Sequence, residues 1–238
     1  MPKKQSYFRR LTTATRWPVG LTLTSWRYMW RTTPLYRREE PGNWEDDQPP
    51  PLPDLVSHDE IQRVGDGSGA LFHRRYSAEI RDAPISPEQL MDRLAADPDR
   101  AAPSEFATFK KLVGPAGEMH PGDEYVVRMP GPWDGPVRVV ARDSTSFRFA
   151  TLAGHLEAGQ IEFSAANGAG GLVFSIESWA RSGDRLSDLL YDRLRMSKEI
   201  QFHMWTSFLE RVIDLSGGIR DGGLRIHTRR VEDLPVAG

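Results

Sequence analysis

The chain has 238 residues, of which 39% are apolar and 27% charged, which fits a soluble protein with one sizeable core. It contains no cysteine, and this excludes disulfides, zinc–thiolate sites and thiol catalysis. No run of about 18 apolar residues occurs, so the sequence predicts no transmembrane helix.

Charge is distributed unevenly along the chain. Residues 1–38 carry nine lysines and arginines and no acidic residue, so the net charge of −2 leaves −11 for the remainder. A basic segment on an acidic body predicts an anionic partner for that segment: a membrane surface, a nucleic acid or the body itself.

Aromatic residues are interleaved with the arginines of this basic arm, residues 1–44. Three interpretations are open: the aromatics pack on the body, the arm lies on an anionic membrane surface, or it meets another partner. Of the anionic partners, a membrane surface is expected and nucleic acid is not. The expected location is the cytoplasm, and peripheral membrane association through the arm is one of the open interpretations. The contact residues would be Arg16, Trp17, Trp26, Arg27 and Trp30.

An acidic and proline-rich segment, residues 45–64, follows the arm. Three consecutive acidic residues precede prolines at positions 49, 50, 51 and 53. Such a proline cluster favours an extended polyproline conformation. We expect a semi-rigid tether between arm and body, with a ligand for a proline-reading domain as the alternative.

The first part of the body, from Gly65, combines a strand with short helices. Glycines 65, 67 and 69 precede a run that alternates like a strand, whereas a dinucleotide fingerprint needs a helix there. Ser86 then begins a helix with Pro87 in its first turn and Gln89 completing a capping box. Residues 103–114, PSEFATFKKLVG, predict a second short helix that ends at glycine.

The second part of the body contains five runs that alternate apolar and polar residues with period two, which is typical of an antiparallel sheet with one buried face. After Gly183 the period becomes helical for about thirty residues, up to Gly217. A last strand is predicted over 223–231. The five runs are 123–129, 136–142, 145–152, 160–164 and 171–179.

This order of elements predicts an α+β fold for residues 65–238, in which a curved antiparallel sheet grips the long C-terminal helix. Such an arrangement leaves room for a pocket between helix and sheet. The side chains predicted to line it are Tyr125, Val127, Phe147, Phe149, Phe163, Phe174, Ile176, Met204 and Phe208.

Three stretches resemble the family called domain of unknown function nineteen-ninety: MPGPWDGPVRVV, FRFATLAGHLEAGQIEF and IESWARSGDRL. The resemblance covers roughly residues 65–232, and the arm is similar to the leader of actinobacterial members. The family resembles the START-like, or Bet v 1-like, helix-grip superfamily. That implies a pocket for a hydrophobic ligand under the long helix, and it brings no catalytic residue with it.

His155 and Glu157 lie two residues apart between two predicted strands, so their side chains point to the same side. In one interpretation they form a general base oriented by a carboxylate, and in another they recognise a ligand at the pocket mouth. In the third, glycines set a tight connection and the two side chains bond local backbone. A metal site would need a further ligand from His120, His203 or His227.

Two more residues are candidates for the pocket mouth. Trp133 lies between two Gly-Pro turns and either caps the pocket or folds back on the core. His203 interrupts the apolar stripe of the long helix, where it either flanks the core or binds a polar head group.

The sequence therefore favours a START-like module that binds a hydrophobic or amphiphilic small molecule, with no cofactor and no metal. The first alternative is an enzyme of the cyclase or hydratase type that uses His155 and Glu157. The second is a peripheral structural or interaction protein that acts through the arm.

Overall fold

The computed structural model describes residues 34–103, 107–128, 134–183 and 191–232, with the backbone alone for 191–201. Within these ranges the helices are α1 (Trp44–Asp47), α2 (Pro87–Ala96) and α3 (Tyr191–Ser216). The strands are β1 (Leu35–Pro41), β2 (Ser68–Arg81), β3 (Thr108–Val113), β4 (Glu124–Arg128), β5 (Asp134–Arg142), β6 (Ser146–Thr151), β7 (Glu157–Gly168), β8 (Gly171–Ser182) and β9 (Ile219–Val231).

The strands of the described ranges form one nine-stranded sheet in the order β1-β9-β2-β8-β7-β6-β5-β4-β3. β1 runs parallel to β9, and the other neighbouring pairs are antiparallel. The register shifts in four of these pairings, namely β2–β8, β2–β9, β3–β4 and β5–β6. Such irregularities bend strands and increase their twist, which curves the sheet.

The two longer helices, α2 and α3, cover one face of this sheet, which we call the concave face. α3 packs on β2, β8 and β9, and α2 packs on β6 and β7. The main core lies between them, and its fully buried aromatic side chains are Phe147, Phe149, Phe163, Phe174 and Phe208. The predicted helix-grip fold is confirmed by this arrangement.

The predicted capping box is also confirmed. The Ser86 hydroxyl accepts a hydrogen bond from the backbone N–H of Gln89 at 3.3 Å, and the side-chain oxygen Oε1 of Gln89 accepts one from the backbone N–H of Ser86 at 3.0 Å. These bonds satisfy backbone donors that the first turn of α2 leaves unpaired. They fix the start of α2. From this start, Leu90, Met91 and Leu94 point into the core and have no exposed surface.

The second short helix predicted over 103–114 is wrong, because residues 108–113 form the edge strand β3. The β4 backbone supplies hydrogen-bond partners, and Phe109 stacks on Phe149 with ring centroids 6.2 Å apart. Lys111 donates to the Asp123 carboxylate at 2.6 Å. Gly114 does end the element, at φ +107, where an added Cβ would overlap the same carboxylate.

Residues 43–66, which we call the strap, cross the opposite, convex face of the sheet. Val56 and Ile61 pack there with Val140, Ala150 and Leu152. The segment 45–64, predicted as a tether, thus lies against the sheet. The physical reason is that a polyproline backbone presents carbonyl groups with few N–H groups, and side chains of the sheet donate to those carbonyls.

Four long side chains of the convex face make these bonds to the strap. Arg138 donates to the carbonyls of residues 57 and 59 at 2.9 and 2.7 Å. Arg148 reaches the carbonyl of residue 51 at 3.2 Å, and Gln160 that of residue 50 at 2.9 Å. Arg181 donates to the carbonyl of Val64 at 2.8 Å. The strap is held along its whole length.

The described end of the basic arm also belongs to the sheet, since residues 35–41 form β1. Arg37 places its guanidinium 3.5 Å from the ring centroid of Phe202 on α3, which is a cation–π contact. In this part of the arm an arginine therefore packs on the body, whereas the aromatic Tyr36 is 61% exposed. All five arm residues predicted to make contacts, from Arg16 to Trp30, lie outside the described residues. No helix among those described is both long and apolar enough to cross a membrane.

Candidate ligand site beneath the long helix

A cavity of about 80 Å³ lies between the concave face and α3. Met204 and Trp205 of α3 cover it, and side chains of β2 to β8 surround it. Because alternate residues of a strand share a face, the concave positions of these strands converge here. Its apolar lining comes from Phe109, Val127, Val137, Phe149, Ile161 and Phe163.

The structure separates the predicted lining residues into two groups. Val127, Phe149, Phe163 and Met204 line the cavity. The other five, Tyr125, Phe147, Phe174, Ile176 and Phe208, are buried in the adjoining core. Phe163 joins the two groups, because its ring centroid lies 5.0 Å from that of Phe147 and 5.3 Å from that of Phe208. Most of the space predicted for a ligand is thus filled by aromatic packing.

One part of the cavity is polar and charged, with Arg74, Tyr76, His155 and Glu157 in its lining. Arg74 and Tyr76 are alternate residues of β2 and therefore point to the same face. Tyr76 is only 3% exposed. Burial raises the pKa of its phenol above the ordinary value. Two neighbouring charges have smaller effects on this pKa: Arg74 lowers it and Glu157 raises it.

Charges on an otherwise apolar concave face are unusual, because burial of an ionised group is costly without a partner. Among the described residues no ion pair within 4.0 Å joins Arg74 to Glu157. The guanidinium of Arg74 instead lies 4.5 Å from the ring centroid of Phe72. The cavity therefore offers both a cation and a carboxylate to a polar group placed between its walls.

The ring of His155 bonds the backbone of Glu157 rather than its carboxylate. The Glu157 amide donates to His155 Nδ1 at 2.9 Å, and the same nitrogen lies 3.1 Å from the Glu157 carbonyl oxygen. Nε2 lies against Gly135 of β5, where an added Cβ would be 2.9 Å away. Burial lowers the pKa of His155, while Glu157 opposes this effect, so the ring is neutral at pH 7.

This geometry bears on all three interpretations of the pair. The bond to local backbone is present, and both side chains also line the cavity. A base oriented by a carboxylate would need the Glu157 carboxylate at a ring nitrogen, and the main-chain bond occupies Nδ1 instead. The structure thus brings the two residues to the predicted pocket without forming the predicted side-chain pair.

Of the remaining predicted mouth residues that the structure describes, His203 does not line the cavity. Trp133 lies outside the described residues. His203 is half-buried on α3, and its ring meets that of Phe202 edge-on with centroids 5.5 Å apart. His120 lies near Glu118, and His227 bonds Glu40 at 2.8 Å. Across the described ranges, no group of three or more acidic or histidine side chains is placed to hold a metal ion.

A second polar array, on the convex face, escaped the sequence analysis. His73 bonds Asp47 of α1 through Nδ1 and Glu177 of β8 through Nε2, each at 2.7 Å. Its ring stacks on Trp179 at a centroid distance of 5.1 Å. Burial alone would lower the pKa of His73, but the two carboxylates outweigh this and raise it. Strand alternation could have placed His73 and Glu177 on the outward faces of their strands, but nothing local indicated that Asp47 is fully buried.

One known protein family and several solved structures are similar to this chain. The profile of the family described as Domain of unknown function (DUF1990) matches residues 44–210, well over half of the chain. The chain belongs to this family. The part shared with other DUF1990 members begins at Trp44, the second residue of the strap, and so includes the segment on the convex face. No curated protein matches the chain.

Solved structures similar to this DUF1990 chain share little sequence with it. The di-domain ARO/CYC StfQ from the steffimycin biosynthetic pathway is 9% identical over 65% of this chain, with a TM-score of 0.47. The match spans 52% of that protein, about half its length. Norcoclaurine synthase from Thalictrum flavum, solved with dopamine and hydroxybenzaldehyde, is 11% identical over 69% of this chain and 98% of its own, with a TM-score of 0.42. Ms6760 from Mycobacterium smegmatis is 18% identical over 69% of this chain and 97% of its own, with a TM-score of 0.39.

Proposed function

We propose that the protein binds an amphiphilic small molecule between the concave face and α3. The main support for this proposal is the charged part of the cavity, where Arg74, Tyr76 and Glu157 belong to a lining that is otherwise mainly apolar. A pocket with an apolar body and a few convergent polar groups is the usual form of a small-molecule site. The polar group of the ligand would meet Arg74 or Glu157, and its apolar part would lie beneath Met204 and Trp205.

The size of the cavity adds a condition to this proposal. Its volume of about 80 Å³ holds only a few atoms, whereas pockets for drug-sized ligands measure roughly 300–1,000 Å³. Binding therefore requires side chains of α3 to move. Met204 is unbranched and adaptable, and Trp205 is only partly buried, with its ring 5.6 Å from that of Phe163.

An anionic amphiphile provides the direct test. The fluorescent probe 8-anilinonaphthalene-1-sulfonate carries an aromatic body and one sulfonate. We expect saturable binding that Arg74→Gln weakens about tenfold, because a charge-assisted bond to the sulfonate is lost. The matched control is Arg75→Gln, since Arg75 is the next residue of β2 but lies on the convex face beside Glu177 at 3.0 Å. Equal affinities of the two variants for the probe would contradict the proposal that Arg74 binds the polar group of the ligand.

The natural ligand is approached by native mass spectrometry of the protein purified from its source, followed by solvent extraction. A stoichiometric extra mass supports the binding module and identifies its ligand class. A bare chain mass that stays bare after incubation with a panel of lipids and polyketides contradicts it and indicates a packed core.

A cyclase- or hydratase-type enzyme is the second candidate, because His155 and Glu157 both line the same cavity. In the tautomer that carries its proton on Nε2, a neutral His155 could donate a hydrogen bond to a substrate oxygen. The test is His155→Ala, assayed on the molecule recovered from the native protein. An enzyme loses conversion while it keeps its fold, whereas a binding module keeps its affinity and shows no conversion in either form.

The membrane role of the arm is a separate proposal with its own test. Liposome flotation would compare the full chain with a chain that begins at Pro34. This start point keeps β1 and the strap, which are part of the sheet. If residues 1–33 carry the membrane contact, only the full chain floats with anionic vesicles, and equal flotation of both chains contradicts that role.

A further inference from the structure

The strap and the convex face enclose a groove of about 340 Å³, four times the volume of the cavity beneath α3. Gly159 and Gln160 of β7 lie on its sheet side. Its walls come from the two ends of the strap: Trp44 and residues 49–52 on one side, and His58, Ile61, Arg63 and Val64 on the other. Its volume falls within the range of small-molecule sites.

One buried acceptor in this groove has no donor. Gln160 is 9% exposed, and its Nε2 donates to the carbonyl of Pro50 at 2.9 Å. That bond fixes the orientation of the amide, because the reverse orientation would place two oxygens together. Gln160 Oε1 is then buried with no hydrogen-bond partner among the described residues. Buried polar atoms are nearly always paired, so an orphaned one calls for an explanation.

Two other polar side chains of the groove, His58 and Arg63, bond each other. His58 Nε2 lies 3.1 Å from the carbonyl of Pro53, and His58 Nδ1 lies 3.1 Å from a guanidinium nitrogen of Arg63. This pattern is satisfied by a neutral ring that donates from Nε2 and accepts at Nδ1. Among the described lining residues, Gln160 Oε1 is the buried side-chain atom without a hydrogen-bond partner. The walls of the groove consist of an indole, three proline rings, aliphatic side chains and the bonded pair His58 and Arg63.

We propose that this groove is a second binding site, and that it takes a small aromatic molecule with an N–H or O–H donor. The donor would bond Gln160 Oε1, and the flat ring would lie between the face of Trp44 and the rings of Pro49, Pro50 and Pro51. Rigid proline and tryptophan surfaces lose little entropy when a planar ligand packs on them.

This inference does not rest on the proposed function, because the two sites lie on opposite faces of the sheet. They meet back to back at Gly159 and Gln160, which contribute to both linings. Tyr76 and Trp205 line only the cavity beneath α3, whereas Trp44 and Pro50 line only the groove. Binding at one site can therefore be distinguished from binding at the other.

Indole and benzofuran are the probes, since benzofuran has the same shape with an oxygen in place of the N–H donor. The full chain, labelled with ¹⁵N, is titrated with each, and the Trp44 indole and Gln160 amide signals are followed by NMR. We expect indole to bind about three- to tenfold more tightly than benzofuran, which is the effect of one hydrogen bond. Gln160→Met should abolish that preference.

Gln62→Met is the matched control variant. Gln62 also ties the strap to the sheet, by bonds of 3.2 and 3.1 Å to the carbonyls of residues 155 and 157, but it lies outside the groove lining. It should keep the preference for indole. Equal binding of the two probes to the unaltered chain overturns the proposal without reference to any variant. No saturable shift at Trp44, or shifts confined to the cavity beneath α3, overturns it as well.

Discussion

His73 shows how one side chain can connect three elements. It bridges α1 and β8 from its position on β2, with Arg75 and Arg229 also close to its two carboxylate partners. A protonated imidazole donates from both nitrogens, whereas a neutral one can donate from only one. The array is therefore complete only while His73 carries its charge.

This gives a pH prediction with a definite sign. The pKa of His73 is raised above 6.5 in the folded protein, so its contribution to stability is fully present below pH 6.5 and is lost as the pH rises through the folded pKa. His73→Gln should lower the free energy of unfolding by about 1–3 kcal/mol at pH 5.5 and by less at pH 9. Urea unfolding of both proteins at the two pH values measures this difference. A difference that stays constant or grows with pH contradicts the bridging role.

Gly114 provides a second residue-scale prediction, because two physical effects meet there. Its φ of +107 is unfavourable for other residues, and an added Cβ would overlap the Asp123 carboxylate that Lys111 holds. Gly117 has φ +79 and no atom within 4 Å of an added Cβ, so Gly117→Ala measures the backbone cost alone. We expect about 1 kcal/mol for Gly117→Ala and at least about 2 kcal/mol for Gly114→Ala in thermal unfolding. Equal losses would show that the close approach to Asp123 has no energetic effect.

At the scale of elements, apolar–polar alternation and helix capping correctly predicted the strands and the helix start that depend on local sequence. The period-two runs gave β4 to β8, and Ser86 and Gln89 gave the start of α2. The same alternation places Arg74 on the face of Tyr76, so the charged part of the cavity could have been found. β3 was missed because a short apolar run fits a helix or a strand, and its pairing with β4 decides between them. The packing of the strap was missed because proline content indicates an extended chain but not what it contacts.

The strap yields an element-scale prediction through Arg138. This side chain is 8% exposed and bonds two strap carbonyls and the Glu124 carboxylate, the latter at 2.6 Å. Arg138→Met should lower the free energy of unfolding by about 3 kcal/mol, because a half-buried carboxylate loses its partner. Hydrogen exchange measured by mass spectrometry should accelerate in residues 50–64 and much less in α3. Arg225→Met is the control, since its pair with Glu79 is exposed and should be worth under about 1 kcal/mol. Uniform acceleration across the chain would contradict a locally held strap.

At the scale of the whole molecule, the sheet is covered on both faces: α2 and α3 lie on the concave face, and the strap, which contains α1, lies on the convex face. The two candidate sites lie on either side of the same strand, β7. The part of the cavity that the structure describes is small, and the groove is larger. The sequence predicted a pocket on the concave face alone, and this prediction omits the groove, which is larger than the cavity.

The last prediction follows from this double covering and concerns where the protein can be shortened. A chain that begins at Pro34 keeps β1 and the strap, so it should keep the unfolding temperature of the full chain to within a few degrees. A chain that begins at Gly65 loses the burial of Val56, Ile61 and Val64, each at most 9% exposed. At about 1.5–3 kcal/mol for each such side chain, this loss approaches the 5–15 kcal/mol that stabilises a typical domain.

The shorter chain would also expose the convex side of the sheet. Val140, Ala150, Leu152 and Trp179, all now buried, would face water, and Arg138 and Arg148 would lose their strap carbonyls. We therefore expect the chain that begins at Gly65 to unfold or aggregate, as shown by circular dichroism and size-exclusion chromatography. A monomeric, cooperatively folded product from Gly65 onward would show that the strap is a removable tether, and it would weaken the case for a groove built by the strap.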